Sequence, residues 1–282
     1  MKIKKIVIGA GLIFSLLIIA VAVTQPILIK AILAKYKSTD HFVTLQEDAR
    51  IRYEQPAQEN ALVLRGVLDE QIRLVEEVLD TSFNTPIEIF ICASQASFNE
   101  YVFLSKNVRG AVYWGKLFLS PGAFSRGSLS ELVAHELTHY LFNGHLGEKP
   151  HVENIPLWFR EGIAVFVANG GGDYTIGSDV YSLMSKEEEN AYLSGEADAW
   201  FRSNSPKDAV TESGVVNWLL YRVGALFVHY LHDEQPEKFS ELIQLLLDGE
   251  KFDRAIKLSY GQDTNELLES YTKYIKSRQV SP

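Results

Sequence analysis

His135-Glu136-Leu137-Thr138-His139 is the stretch whose reading decides the rest of the chain. On a helix, residues four apart share a face, so His135 and His139 can grip one metal ion. Glu136 projects beside them, where a carboxylate can take a proton from a metal-activated water. Two neutral nitrogen ligands completed by a third protein ligand suit Zn²⁺ and leave one open, reactive position. The pattern fixes only three residues, so its surroundings must carry part of the weight.

Those surroundings read as a helix. Ser128-Leu129-Ser130-Glu131 has the form of a capping box, in which the serine hydroxyl satisfies a first-turn amide and Glu131 reaches back. Leu129, Leu132, Val133, Leu137, Tyr140 and Leu141 follow at helical spacing. Asn143-Gly144 then offers a pair suited to a left-handed stop. The two histidines therefore fall in mid-helix, where the backbone fixes their spacing.

Two residues compete as third ligand. His145 stands ten residues after His135, the offset of the third histidine in HExxHxxGxxH. That pattern needs a glycine where this chain has Phe142, which would have to take a costly positive φ. It also needs a Met-turn, and Met184 is the only internal methionine. Glu161 lies in Pro156-Leu157-Trp158-Phe159-Arg160-Glu161-Gly162-Ile163-Ala164-Val165, which reads as a second helix. Pro156 suits its first position and Asn169-Gly170-Gly171-Gly172 its end. An antiparallel return after the Gly144–Asn154 loop places Glu161 facing the first helix. Small side positions at Gly162 and Ala164 then let the two helices approach closely.

With both segments in view, the chain resembles the gluzincin (peptidase MA-like) metallopeptidases, closely over the paired helices and loosely from about His41 to the C-terminus. The resemblance implies that His135, His139 and Glu161 bind zinc and that Glu136 is the general base. It also implies a tyrosine on a later helix that steadies the oxyanion. The matching segment Tyr221-Arg222-Val223-Gly224-Ala225-Leu226 makes Tyr221 the candidate. Gluzincin aminopeptidases carry a G-x-M-E-N strand whose glutamate binds the substrate's free amine. The corresponding Gly110-Ala111-Val112-Tyr113-Trp114 has Tyr113 at that position. The loss of that acid points away from aminopeptidase and toward endopeptidase activity. The strand Ala111–Leu119 is then either a backbone partner for extended substrate or an edge strand of the fold.

The remainder sets the context. The chain has 282 residues with 46% hydrophobic content, enough for one substantial core. From Ile6 to Ile29 no residue is charged, and Lys2, Lys4 and Lys5 precede the run. That length suffices for a bilayer-spanning helix. Cleavage of a signal peptide near Ala20-Val21-Ala22 is the alternative, but apolar residues continue through Pro26–Leu33. The expected organisation is an anchor and linker over 1–37 and a catalytic domain over 38–282. Three flanking lysines on each side leave orientation to the export-like N-terminus, which puts the domain outside the cytoplasm. Single-pass membrane localisation is expected accordingly.

The net charge is −9; without the six lysines before residue 38 the balance is 21 basic to 36 acidic residues, or −15. Such a surface argues against nucleic acid as a partner. The single cysteine, Cys92, excludes an internal disulfide and reads as a small apolar strand residue.

The coarse pattern is a strand over His41–Tyr53, an amphipathic helix over Ala61–Asp80 and strands over Pro86–Cys92 and Ala111–Leu119. Ile87, Ile89 and Ile91 are expected to face one way, and Ser97–Leu104 reads as a short helix. Past Ser128 the chain is nearly all helical, through Pro236–Leu247, Phe252–Tyr260 and Asn265–Lys276. Strands first and helices after predict an α+β fold, a small N-terminal sheet ahead of a helical lobe. Gly170–Ser213 is a polar stretch read as a surface excursion or a lid.

The resulting expectation is a membrane-anchored, zinc-dependent metallopeptidase acting on peptides or proteins. The competing one is a non-catalytic anchored protein that keeps the fold for binding. A closed structural zinc site has four protein ligands and no need of Glu136.

Overall fold

The computed structural model describes residues 26–102, 108–168 and 219–278, together with 186, 190 and 201. Among them a sheet of five short strands packs against helices. Helix α1 (Pro26–Tyr36) leads into a hairpin of β1 (Val43–Leu45) and β2 (Asp48–Tyr53). The long helix α2 (Gln58–Leu79), β3 (Ile89–Ile91) and the short α3 (Gln95–Tyr101) follow. A second hairpin, β4 (Gly110–Tyr113) and β5 (Lys116–Leu119), completes the sheet in the order β1-β2-β3-β5-β4. The pairs β2–β3 and β3–β5 are parallel and the two hairpins antiparallel. The α+β expectation therefore holds, with a mixed sheet.

Helix α2 buries Ala61, Leu64, Leu68, Gln71, Val75 and Leu79, a stripe at three- and four-residue steps. Asp80 ends it in the left-handed region at φ 48°. The stripe packs on α5 (Leu129–Leu146) in the main core. Strand β3 is covered on both sides. Ile89 and Ile91, with the partly buried Ile87, enter that main core. Phe90 enters a second cluster with Phe42, Phe98, Tyr101 and Phe118. Cys92 is buried in the same cluster, and burial pushes its thiol up to about 12. It is packed, not reactive.

After α4 (Gly122–Ser125) and α5 come α6 (Glu148–Asn154), α7 (Leu157–Val167), α8 (Leu219–Glu234), α9 (Pro236–Leu247), α10 (Phe252–Tyr260) and α11 (Thr264–Arg278). Helices α7 and α8 cross at glycines. A Cβ added to Gly162 would lie 2.5 Å from the carbonyl carbon of Gly224, and one added to Gly224 would lie 2.4 Å from the Trp158 oxygen. The close approach expected at Gly162 is thus made with α8, while α7 also packs against α5.

Several sequence expectations need correction. His41–Tyr53 is not one strand but a hairpin, with a register shift between Thr44 and Leu45. Ala111–Leu119 is likewise a hairpin, turning at Trp114 (φ 51°) and Gly115 (φ 71°). Two successive positive φ angles are the mark of a two-residue primed turn, and tryptophan is an unusual occupant of it. Helix α5 runs through Asn143-Gly144 and ends at Gly147. Gly144 serves clearance instead, since a Cβ there would stand 2.7 Å from Asn84 Oδ1. Pro156 is the cap of α7, with extended ψ of 150°, and Leu157 begins the helix. The Gly144–Asn154 loop contains α6.

The predicted span Ile6–Ile29 lies outside the described residues except at its end. Among the described residues no helix is long and apolar enough to cross a membrane. The Asn169–Gly172 stop and nearly all of Gly170–Ser213 also lie outside them.

Candidate metal and active site

Helix α5 is fixed at its start and in its middle. Ser128 Oγ accepts the amide of Glu131 at 3.3 Å. Farther along, the Tyr140 hydroxyl lies 2.7 Å from the Pro86 oxygen and 2.8 Å from that of Gly115, and accepts the Glu88 amide. This one phenol ties the helix to the chain entering β3 and to the β4–β5 turn. Leu132, Val133, Leu137 and Leu141 are buried around it.

The opposite face carries His135 and His139. Their Nε2 atoms are 3.3 Å apart, with the rings nearly perpendicular at 81°. Glu161 arrives from α7 and places Oε2 3.5 Å from each of those nitrogens. The three donors form a triangle of 3.3, 3.5 and 3.5 Å. Ligands at ~2.1 Å around a tetrahedral ion are separated by about 3.4 Å, so the triangle has the size of one face of such a site. Two ring nitrogens and one carboxylate are a donor set that suits zinc with a position left open. His135, His139 and Glu161 are the only group of three or more His, Cys, Asp or Glu residues of that spacing among the described residues.

Burial would raise the Glu161 carboxyl, but the fields and hydrogen bonds of His139 and His135 outweigh it and hold the group well below the usual carboxylate range. It is a carboxylate, as a ligand must be. Glu136 behaves oppositely. At 7% exposure, burial pushes it up to about 7. His135 and Arg109 pull it down, and Glu161 adds to the upward shift. A carboxyl poised near neutral pH is suited to accepting and returning a proton. Strand β4 lies directly against it, for a Cβ on Gly110 would stand 2.9 Å from Glu136 Cγ.

These groups line a cleft of about 520 Å³ that also contains Tyr221, His151 and Glu148. Its wall is the edge strand β4, from Gly110 to Tyr113. Tyr113, which stands at the glutamate position of the aminopeptidase strand motif, lines the cleft with its phenol pushed up to about 12, by burial first and by Glu148 second.

His145 is elsewhere. It remains helical, with Nε2 3.0 Å from the Ser82 oxygen. Phe142 stays in the helix and is buried, without the positive φ that the rival ligand needed.

Three lining residues had no motif to announce them. His151 is buried, stacked on Phe142 at 5.5 Å and held at Nδ1 by Asn143 Oδ1 at 2.5 Å. Its ring lies 6.0 Å from that of His139, and burial holds it well below the usual imidazole range. Glu148 comes from the same short helix. Arg109 precedes β4 and donates from Nη1 to the Arg126 oxygen at 2.7 Å. The only available signal was their position in stretches flanking the motif.

A family model described as the Peptidase MA superfamily matches residues 68–277, a span that includes both helices of the donor triangle and Tyr221. It covers well over half of the chain, and the fold is of metallopeptidase type. The chain belongs to the Peptidase MA superfamily.

Proposed function

We propose that this chain is a zinc-dependent metallopeptidase that hydrolyses peptide bonds, as an endopeptidase in preference to an aminopeptidase. The observation that carries the reading is the donor triangle with the buried Glu136 beside it. His135, His139 and Glu161 would hold the ion. When bound, zinc supplies Lewis acidity toward the scissile carbonyl and makes water nucleophilic at neutral pH.

The chain's own residues do the rest. Glu136 takes the proton of the attacking water and returns it to the leaving amine. Tyr221, which lines the same cleft, donates a hydrogen bond from its hydroxyl to charge developing on the carbonyl oxygen. The outer edge of β4 offers backbone donors and acceptors to an extended substrate. Tyr113 in place of an acid on that strand supports internal cleavage.

The uncharged run Ile6–Ile29 with its basic N-terminus supports anchoring by a single span, with the catalytic domain outside the cytoplasm. The acidic balance of the remainder argues against nucleic acid as a partner.

The test is hydrolysis of a peptide library by the zinc-loaded chain and by Glu136→Ala at equal zinc content. Cleavage lost by at least ~100-fold in the variant is expected. Bound zinc with no Glu136-dependent cleavage would instead favour a non-catalytic binding protein on a metallopeptidase fold.

A further inference from the structure

Helix α1 turns an apolar face to solvent. Ile32, Leu33 and Tyr36 share that face at steps of three and four residues, and all are exposed, Leu33 by 65% and Tyr36 by 76%. Ala34 is buried on the inner side, where α1 packs on α3 and Lys37 pairs with Glu100. Lys35 stands over two rings at once, 5.5 Å from the centroid of Tyr36 and 4.5 Å from that of Trp114. Trp114 is itself 43% exposed, in the β4–β5 turn. Residues from two separate elements thus form one outward apolar patch. An indole at a positive φ and half in water is unfavourable within the domain alone.

The chain that leads into the patch indicates what covers it. The uncharged run Ile6–Ile29 overlaps the start of α1 at Pro26, and no acidic residue occurs before Asp40. The exposed Lys30 and Lys35 therefore meet no acid on their own segment, although the chain as a whole is acidic. Aliphatic side chains bordered by tryptophan, tyrosine and lysine suit the boundary between lipid and water, where the lysines also attract anionic headgroups. The patch adjoins the cleft as well. Trp114 follows Tyr113, the last residue of β4, and its amide donates to the Glu148 carboxyl; Tyr113 and Glu148 both line the cleft.

We propose that α1 and the β4–β5 turn form a membrane-contact surface, with Trp114 at the headgroup level of a bilayer containing anionic lipid, so that the Tyr113 end of the cleft opens beside the membrane. The proposal rests on the anchoring reading for how the domain reaches the bilayer, and the contact is tested apart from it.

The experiment uses the full-length chain reconstituted in vesicles of phosphatidylcholine and phosphatidylglycerol. Quenching of tryptophan emission by brominated phosphatidylcholine is compared between the wild type and Trp114→Phe. The chain has four tryptophans, so the difference between the two proteins isolates Trp114. The quenched part of the emission should fall at least ~2-fold in Trp114→Phe. Lys30→Glu combined with Lys35→Glu, which leaves every tryptophan in place, should lower the quenching in the same direction. Quenching that Trp114→Phe leaves unchanged would overturn the assignment; that is also the result expected if a second copy or another protein covers the indole. Washing the vesicles with alkaline carbonate reads the anchor separately, since a spanning helix resists the wash and a surface contact does not. A chain that resists it without Trp114-dependent quenching defeats this inference alone. Trp114-dependent quenching in a chain that the wash removes defeats the anchoring reading alone.

Discussion

Replacing Gly162 by alanine probes the contact that places Glu161. A Cβ at this position would meet Gly224 backbone atoms at 2.5 and 2.8 Å. Carbon contacts relax only near 3.5 Å, so α7 and α8 must separate by about 1 Å. Because the opposing atoms are backbone, the cost belongs at the upper end for overpacking, ~3 kcal/mol. Alanine's helix propensity returns ~1 kcal/mol, leaving a net loss of about 2 kcal/mol. That corresponds to a fall in Tm of roughly 4–8 °C for a domain of this size. The neighbouring Glu161 moves with its helix, and metal sites tolerate only ~0.2 Å, so zinc affinity should fall ~10–100-fold. Gly66, exposed in the middle of α2 with nothing within 4 Å of a Cβ, is the control. Gly66→Ala should gain up to ~1 kcal/mol. Calorimetry and a competitive zinc titration read both effects. If Gly162→Ala is as stable and as tight for zinc as the wild type, the glycine crossing does not position the site.

Other outcomes follow from the same geometry. His139→Ala and Glu161→Ala should each lose stoichiometric zinc by elemental analysis, whereas His145→Ala should retain it. Tyr221→Phe should keep zinc and lower kcat by ~10–100-fold with little change in KM. In the metal-free protein the contribution of Glu136 to stability should fall as pH rises, while the buried His151, held below its ordinary range, contributes the opposite slope. Glu136 has a folded pKa of about 7 against an ordinary 4.5, so its contribution is complete below 4.5 and disappears as pH passes 7. That loss is about 3 kcal/mol, and urea melts should show the stability of the wild type relative to Glu136→Gln falling by about this amount between pH 4.5 and 7.

What the sequence disclosed followed from local rules. The α5 helix was legible because its cap, its apolar period and its paired histidines agree in one short stretch. The α2 stripe was legible from its apolar period alone. Glu161 was harder, because its approach to the histidines is a tertiary fact; the antiparallel return made it reasonable, and the folded chain brings its Oε2 to 3.5 Å from the Nε2 of each histidine. The β4–β5 turn escaped because its two positive-φ positions are filled by Trp114 and Gly115 instead of a typical Asn-Gly pair. Gly144, which reads as a helix stop, and Gly162, which reads as a close approach to α5, admit partners distant in sequence instead, the Asn84–Thr85 segment and Gly224. Glu148 and His151 escaped entirely. Each gains its significance from packing beside β4 or α5, and a lone charge or imidazole between helices carries no periodic signal.

The most direct test is anomalous diffraction at the zinc edge from crystals of the zinc-loaded chain. One zinc is expected, with His135 Nε2, His139 Nε2 and a Glu161 oxygen at ~2.0–2.2 Å and Glu136 outside the ligand set. Zinc held by His145 or His151 in place of Glu161, or a site closed by Glu136 as fourth ligand, would contradict it.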